Sequence, residues 1–275
     1  MSNTSNSKND DAETIDAETR RRAVRERYAS IATDDTGCCD DSLACCDDTA
    51  LDDRAEQLGY TADERDSVSS GANLGLGCGN PNAIASLDTE ETVLDLGSGG
   101  GFDCFLAADE VGPDGRVIGV DMTPEMVERA RTNVEKNDVD NVEFRLGEIE
   151  HLPVADDSAD VVISNCVINL SPDKPQVFQE AYRVLRPDGR LAISDIVMTA
   201  PLPADARNDL DSLTGCVAGA TTIESLRTML DDAGFEDIHI EPKEESDQFI
   251  REWDDSHDVS EYVVSATIEG HKPAR

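Results

Sequence analysis

The segment VLDLGSGGGFD, residues 93–103, restricts the fold of this 275-residue chain more than any other part of the sequence. It is an apolar strand containing Asp95, followed by a turn with four glycines between residues 97 and 101, and then by the start of a helix. Glycines at such a turn let a ligand approach the backbone closely. This order of features is typical of the first strand and helix of a doubly wound α/β sheet.

The sequence beyond this segment repeats the alternation of strand and helix. Strand-like segments read TVLDLG, GRVIGVD, NVEFRLG, ADVVISN and GRLAISDI, with helical stretches between them. Two more, EDIHIE and YVVSATIE, follow toward the carboxyl end. We therefore predict an α/β fold with a doubly wound, mostly parallel seven-stranded sheet, an N-terminal helical extension and a C-terminal appendage.

Short polar motifs predict helix starts and a turn. The spacing of Thr61 and Glu64 is that of a capping box, and Thr221 has the same spacing to an acid before another helical stretch. Residues 187–189, Pro-Asp-Gly, predict a turn before the fifth strand.

Composition and pattern divide the chain into four parts. Residues 1–15 are polar and acidic, which predicts a disordered tail. Residues 16–84 form a helical, cysteine-rich region, residues 85–200 the Rossmann-like domain, and residues 201–275 a region that completes the sheet and the site described below.

The formal charge of −37, from 60 acidic and 23 basic residues, argues against several partners. Nucleic acid and anionic membranes would be repelled, so we expect neither as a partner. Carboxylates spread over every segment are typical of halophilic proteins, whose self-repulsion is screened by salt. Because no apolar run approaches the roughly 20 residues of a membrane span, we expect a cytoplasmic protein. We also expect it to act as a monomer.

Two acids indicate which ligand the glycine turn binds. Asp95 lies two residues before the first glycine, which disfavours a pyrophosphate but suits the cationic amino group of S-adenosyl-L-methionine. Asp121 ends the second strand, where a carboxylate can accept both ribose hydroxyls, and Met122 can pack on the adenine. Glycines alone could simply allow a tight turn. The positions of Asp95 and Asp121 relative to that turn favour a cofactor site.

This ordered set resembles the class I Rossmann-like methyltransferases over about residues 85–200. The resemblance implies S-adenosyl-L-methionine as cofactor. The expected cofactor-binding residues are Asp95, Gly97, Ser98, Gly99, Asp121, Met122, Glu148, Ile149 and Asn165.

Three cysteines indicate the methyl acceptor. Cys166 lies at the carboxyl end of the fourth strand, in SNCVINLSPDK, where the Asn-Pro-Pro turn common in amino-group methyltransferases is missing. Cys78 and Cys216 lie in motifs that could reach the same rim of the sheet. Each alone could be a small core residue. Together, three soft thiolates suit a thiophilic centre such as trivalent arsenic.

The motifs GCGNP, VLDLGSGGGFDCFLAA, VIGVDMTPEM, ISNCVINLSPDK and GCVAGA resemble the arsenite S-adenosylmethionine methyltransferases, over about residues 70–240. The family's three arsenic-binding thiols correspond to Cys78, Cys166 and Cys216. The family's N-terminal thiol-exchange cysteine has no single counterpart. Four candidates for this thiol relay, which could instead bind structural zinc, are Cys38, Cys39, Cys45 and Cys46.

These observations predict an arsenite methyltransferase that acts in detoxification. Its substrate would be arsenite or an arsenic–thiol conjugate, and a thiol reductant, thioredoxin or a small thiol, would restore any disulfide. Two alternatives remain open at this point. One is a carbon methyltransferase that acts on a quinone or another small molecule, and the other is a protein that binds arsenic without catalysis.

Overall fold

A computed structural model describes residues 16–33, 48–201, 217, 219–243, 246–251 and 259–274 of the chain. The predicted disordered tail and most of the acidic stretch after Pro201 lie outside these ranges. So do five of the cysteines named above: Cys38, Cys39, Cys45, Cys46 and Cys216.

The centre of the fold is one twisted sheet. Its strands are β1 (Thr92–Leu96), β2 (Arg116–Asp121), β3 (Val142–Leu146), β4 (Ala159–Asn165), β5 (Leu185–Met198), β6 (Thr221–Thr222), β7 (Glu236–Pro242) and β8 (Val263–His271). The main path runs β3-β2-β1-β4-β5-β8-β7, in which β8 is antiparallel to both neighbours and the other pairs are parallel. The predicted seven-stranded, mostly parallel sheet is confirmed, and the two-residue β6 adds an eighth strand beside β5.

Helices precede the sheet and alternate with its strands. They are α1 (Ala17–Thr33), α2 (Asp48–Leu58), α3 (Ala62–Ser67), α4 (Asn82–Ala85), α5 (Phe102–Val111), α6 (Pro124–Asn137), α7 (Lys174–Val184), α8 (Ile223–Ala233) and α9 (Asp247–Ile250), with 3₁₀ turns at Ile168–Leu170 and Val259–Glu261. No helix within the described ranges has the length and apolar character needed to span a bilayer.

The structure tests three of the local predictions. The capping box of Thr61 and Glu64 is confirmed. The predicted cap at Thr221 is wrong by one residue: the helix begins at Ile223, and Thr222 accepts the hydrogen bond from the Ser225 N–H, at 3.2 Å.

The predicted turn at residues 187–189 lies inside β5. Ala159 of β4 pairs with Leu185, whereas Val161, two residues on, pairs with Arg190. The extra residues of β5 therefore bulge out of the ladder, and Asp188 adopts a φ of +66° there. The sequence thus correctly predicts a local turn here, but it does not predict that β5 pairs with β4 both before and after the turn.

The topology fixes where a ligand can bind. From β1 the chain builds the sheet outward through β2 and β3, and then returns to place β4 and β5 on the other side of β1. The connections that follow β1 and β4 thus lead to opposite sides of the sheet, and the carboxyl ends of these two neighbouring strands mark the usual ligand crevice of such sheets. One apolar cluster lies over this crevice. It includes Val24 of α1 together with Cys78, Cys166 and Val217.

Candidate active site

A cavity of about 640 Å³ opens at the carboxyl ends of β1, β2 and β4. Nine residues predicted from the sequence line it: Asp95, Gly97, Ser98, Gly99, Asp121, Met122, Ile149, Asn165 and Cys166. Glu148 is not among the lining residues, because its carboxylate faces α1, where Arg25 lies 3.3 Å away.

The glycine turn after β1 has the shape of a ligand cradle. A Cβ atom on Gly97, whose φ is +72°, would lie 2.5 Å from the Val167 methyl carbons, so the turn and the loop after β4 touch. A Cβ atom on Gly99, whose φ is +51°, would meet no atom of the described part of the chain within 4 Å. The hydroxyl of Ser98 is buried and has no hydrogen-bond partner among the described residues. This open space and orphaned polar group fit a polar ligand laid against the turn.

Asp121 joins the cradle to the end of β2. One carboxylate oxygen accepts a hydrogen bond from the Gly99 N–H at 3.0 Å, and the other from the Thr123 N–H at 2.8 Å. Burial raises the pKa of Asp121, although these two N–H groups oppose the shift. Each carboxylate oxygen can accept a further hydrogen bond, so the arrangement suits a pair of ribose hydroxyls.

Two carboxylates share one corner of the cavity. Asp95 is 2% exposed and accepts a hydrogen bond from the Cys104 thiol at 3.2 Å. Asp103 lies in the first turn of α5. Sequence reasoning missed it as a site residue, although it is the last residue of the motif VLDLGSGGGFD that also contains Asp95. It accepts hydrogen bonds from Tyr60 at 2.7 Å and from Asn82 at 3.1 Å.

Burial dominates the charge state of this corner. It raises the pKa of Asp95 well above the usual range, with a further contribution from the negative charge of Asp103. It raises the pKa of Asp103 to about 6, against the hydrogen bonds that favour the ionised form. No hydrogen bond to either carboxylate comes from a Lys or Arg among the described residues. The corner is therefore suited to a cationic ligand group.

Asn165, at the end of β4, fastens the loop that carries Cys78. Its Oδ1 accepts a hydrogen bond from the Cys78 N–H at 3.0 Å, and its Nδ2 donates to the Gly79 carbonyl at 2.7 Å. Nδ2 also lies 2.9 Å from the Tyr60 hydroxyl. On the other side of the loop, Ser265 of β8 donates to the Cys78 carbonyl at 2.6 Å. Asn165 lines the cavity, but its side chain also positions a thiol, a role that the sequence does not reveal.

The thiol site lies beside the cavity. The ligand atoms of Cys78, Cys166 and Asp195 all lie within 4.8 Å of one another, and all three residues are buried. Cys166 adopts a φ of +59°, which is rare for residues other than glycine, and its N–H donates to the Ser194 carbonyl at 2.8 Å. Strain of this kind clusters at functional sites. The structure thus brings two of the three predicted thiols together. The third, Cys216, lies outside the described residues, and the next residue in the sequence, Val217, lines the cavity.

Asp195, on β5, is the third member of this cluster and was not singled out from the sequence. It is 2% exposed. Its Oδ1 accepts hydrogen bonds from Asn169 Nδ2 at 2.8 Å and from the Ile196 N–H at 2.7 Å, and its Oδ2 lies 3.3 Å from the Asn169 N–H. Burial raises the pKa of Asp195 to about 6. Its position in GRLAISDI, toward the end of a predicted strand, was the available signal.

Helix α1 covers the mouth of the cavity and is held there by arginines. Arg21 lies 3.3 Å from the buried Glu150, which also accepts a hydrogen bond from Ser171 at 2.7 Å. Arg20 donates to the Asn169 carbonyl at 2.5 Å, next to the thiol cluster. The N-terminal helix is therefore part of the site.

The fold and the cavity define a class I, S-adenosyl-L-methionine-dependent methyltransferase. A family model described as "Methyltransferase domain" matches residues 87–234, which is more than half of the chain. The open glycine cradle, Asp121 at the end of β2 and the acidic corner at Asp95 fit this cofactor.

Comparison with individual proteins narrows the class to a family. The chain is 62% identical over 267 residues to the arsenite methyltransferase of Halobacterium salinarum, covering 94% of this chain and 68% of the relative. It is 41% identical over 152 residues to the human arsenite methyltransferase, covering 52% of this chain and 40% of the relative.

The crystal structure of CrArsM, an arsenic(III) S-adenosylmethionine methyltransferase from Chlamydomonas reinhardtii, superposes with a TM-score of 0.59 at 35% identity, covering 80% of this chain and 72% of that one. The chain belongs to the arsenite methyltransferase family.

Proposed function

We propose that this enzyme transfers the methyl group of S-adenosyl-L-methionine to trivalent arsenic bound by the thiolates of Cys78, Cys166 and Cys216. The observation that carries the proposal is the convergence of the Cys78 and Cys166 sulfurs at the edge of the cofactor cavity, both buried. Trivalent arsenic prefers soft thiolate ligands of this kind. The substrate is arsenite or a conjugate of arsenic with a small thiol.

Residues of the cavity would bind and orient the cofactor. The acidic corner formed by Asp95 and Asp103 would hold its cationic amino group, and Asp121 would accept hydrogen bonds from its ribose. Bound in this way, the cofactor supplies an electrophilic methyl group. The remaining predicted contacts that line the cavity, from Ser98, Met122, Ile149 and Asn165, complete the proposed site, which leaves out Glu148.

The thiols would prepare the nucleophile. As each thiol replaces a hydroxyl group of arsenite, an As–S bond forms, an As–O bond breaks, and the thiol proton leaves with the hydroxyl as water. The arsenic keeps a lone pair directed away from its three ligands. This lone pair carries no proton, so attack on the methyl carbon needs no general base and depends on alignment.

Oxidation state accounts for the proposed need of a reductant. A methyl cation transferred to trivalent arsenic raises its formal oxidation state by two, and two thiols can return those electrons by forming a disulfide. A cysteine among residues 38–46 is suited to relay this exchange, and an external thiol reductant, thioredoxin or a small thiol, would regenerate the thiols.

The test is methylation of arsenite by the reduced protein with labelled S-adenosyl-L-methionine in high salt, followed by mass spectrometry. We expect methylated arsenic from the wild type and none from Cys78→Ser, Cys166→Ser or Cys216→Ser. Calorimetric titration with the cofactor serves as the control, and the Cys166→Ser and Cys216→Ser proteins should bind it like the wild type. Full activity in Cys166→Ser or Cys216→Ser would refute the three-thiol site. Cofactor binding without any arsenic product in the wild type would favour a carbon acceptor.

A further inference from the structure

A buried carboxylate beside two thiols requires an explanation, because burying an ionisable group costs stability and the charge of Lys174 only partly offsets that cost at Asp195. Asp195 touches the same small volume as the sulfurs of Cys78 and Cys166. We infer that Asp195 is part of the arsenic-binding site, where its carboxylate accepts a hydrogen bond from the hydroxyl group that arsenic retains while Cys78 and Cys166 hold it. This inference rests on the proposed function and specifies the form in which arsenite is first captured.

The geometry favours a direct contact. All three ligand atoms lie within 4.8 Å of one another, a separation that a single atom and its own ligands can span. The carboxylate is 2% exposed, so bulk water does not compete for its hydrogen-bonding capacity. A substrate hydroxyl placed between the sulfurs and this carboxylate would gain a charge-assisted hydrogen bond.

The protein holds the carboxylate in one orientation. Asn169 and the Ile196 N–H donate three hydrogen bonds to it, and Asn169 Nδ2 also donates to the Ile196 carbonyl at 2.6 Å. Arg20 of α1 binds the Asn169 carbonyl in turn. The Ile168 N–H makes a further, weaker contact with the carboxylate. Oδ1 accepts the two shortest bonds, whereas Oδ2 has a long contact of 3.3 Å with the Asn169 N–H and therefore more acceptor capacity left for a ligand.

The chemistry of capture distinguishes two substrates. Arsenite, As(OH)₃, reacts with two thiols to give a dithiolate that keeps one hydroxyl, with release of two waters and no change in oxidation state. Methylarsonous acid, CH₃As(OH)₂, loses both hydroxyls to the same two thiols. Asp195 can therefore assist arsenite until the third thiol displaces the last hydroxyl, but it has no hydroxyl to bind on the methylated substrate.

The experiment compares both substrates in the full-length wild type, Asp195→Asn and Asp195→Ala. We expect the KM for arsenite to rise about tenfold in both variants, the loss of roughly 1.4 kcal/mol typical of a charge-assisted hydrogen bond. The KM for methylarsonous acid should stay within about twofold of the wild-type value, a difference of about 0.4 kcal/mol, because this substrate keeps no hydroxyl group for Asp195 to bind. Asp195→Asn can keep the Oδ1 hydrogen bonds, so it provides the measurement if the Ala variant fails to fold.

A purely structural Asp195 predicts a different pattern. Equal losses with both substrates would mean that the variants deform the thiol site, and unchanged kinetics with both would mean that Asp195 is remote from the arsenic; either result overturns the inference. The wild type tests the proposed function separately. If it methylates neither substrate, the proposed function itself fails, and the inference fails with it.

Discussion

Asp95 and Asp103 show how burial of single residues can couple ligand binding to pH. The folded state raises the pKa of both carboxyls, that of Asp103 to about 6, from an ordinary value of 3.8. For an acid with a raised pKa, the stabilising contribution is complete below pH 3.8 and is lost as the pH rises through the folded value. The free protein therefore ionises this corner at a cost, and a bound cation offsets that cost.

We predict from this that cofactor affinity rises with pH through about 6, where Asp103 ionises, and keeps rising until Asp95 is ionised as well. Protonated Asp103 and Asp95 cannot pair with the amino group of the cofactor, so binding must release protons when the pH is near 6. Titration calorimetry between pH 5 and 8, in two buffers of different ionisation enthalpy, measures both affinity and proton release. The Asp103→Asn variant should move the inflection. A pH-independent affinity in the wild type would contradict the assignment of this corner to a cation.

At the scale of elements, the glycine turn after β1 combines a backbone requirement with a requirement for space. Gly99 has a φ of +51°, and a Cβ atom there would project into open space along the cavity. Gly59, at the end of α2, has a φ of +97°, and a Cβ atom there would make an ordinary contact of 4.0 Å with Asn80. The two positions thus share a conformation in which alanine is strained, but only Gly99 lines the cavity.

Alanine at these two positions should separate stability from binding. We predict that Gly99→Ala and Gly59→Ala each lower the free energy of unfolding by about 1–2 kcal/mol, because left-handed backbone is unfavourable for alanine. Only Gly99→Ala should also weaken cofactor binding, by about tenfold or more, as its methyl group occupies space meant for the ligand. Urea denaturation and cofactor titration measure the two effects. Equal cofactor affinity in both variants would mean that the cofactor does not lie against this turn.

Elements were predictable from sequence to the extent that their signals are local. The apolar strands, the glycine turn and the capping box at Thr61 each lie within a few neighbouring residues, so all were recognised. Asp195 and Asp103 were missed because their roles depend on neighbours far away in sequence. Asp103 meets Tyr60, 43 residues away, and Asn165 meets the Cys78 loop, 87 residues away. Thr221 was misassigned because two adjacent threonines offer the same cap side chain, and the helix begins one residue later than the pattern predicts.

At the scale of the whole molecule, charge is the dominant feature. The chain carries 60 acidic and 23 basic residues. Several of the basic side chains are committed to joining elements: Arg190 pairs with Glu91 at 2.7 Å, and the buried Lys272 pairs with Asp157 at 2.7 Å. Most carboxylates therefore have no cation to neutralise them, and their mutual repulsion opposes the compact state.

Screening this repulsion should stabilise the fold, which is the property expected of a halophilic protein. We predict that the midpoint of thermal unfolding rises by roughly 5 °C or more between about 0.05 M and 1 M KCl, because the Debye length falls to about 3 Å at 1 M. Differential scanning calorimetry measures the midpoint, with sucrose as a control for effects of solute exclusion without added ions. If the midpoint stayed constant in KCl, repulsion would not limit the stability of this fold, and the excess of acids would need another explanation. If it rose, assays of arsenic methylation at low salt would understate activity, because part of the protein would be unfolded.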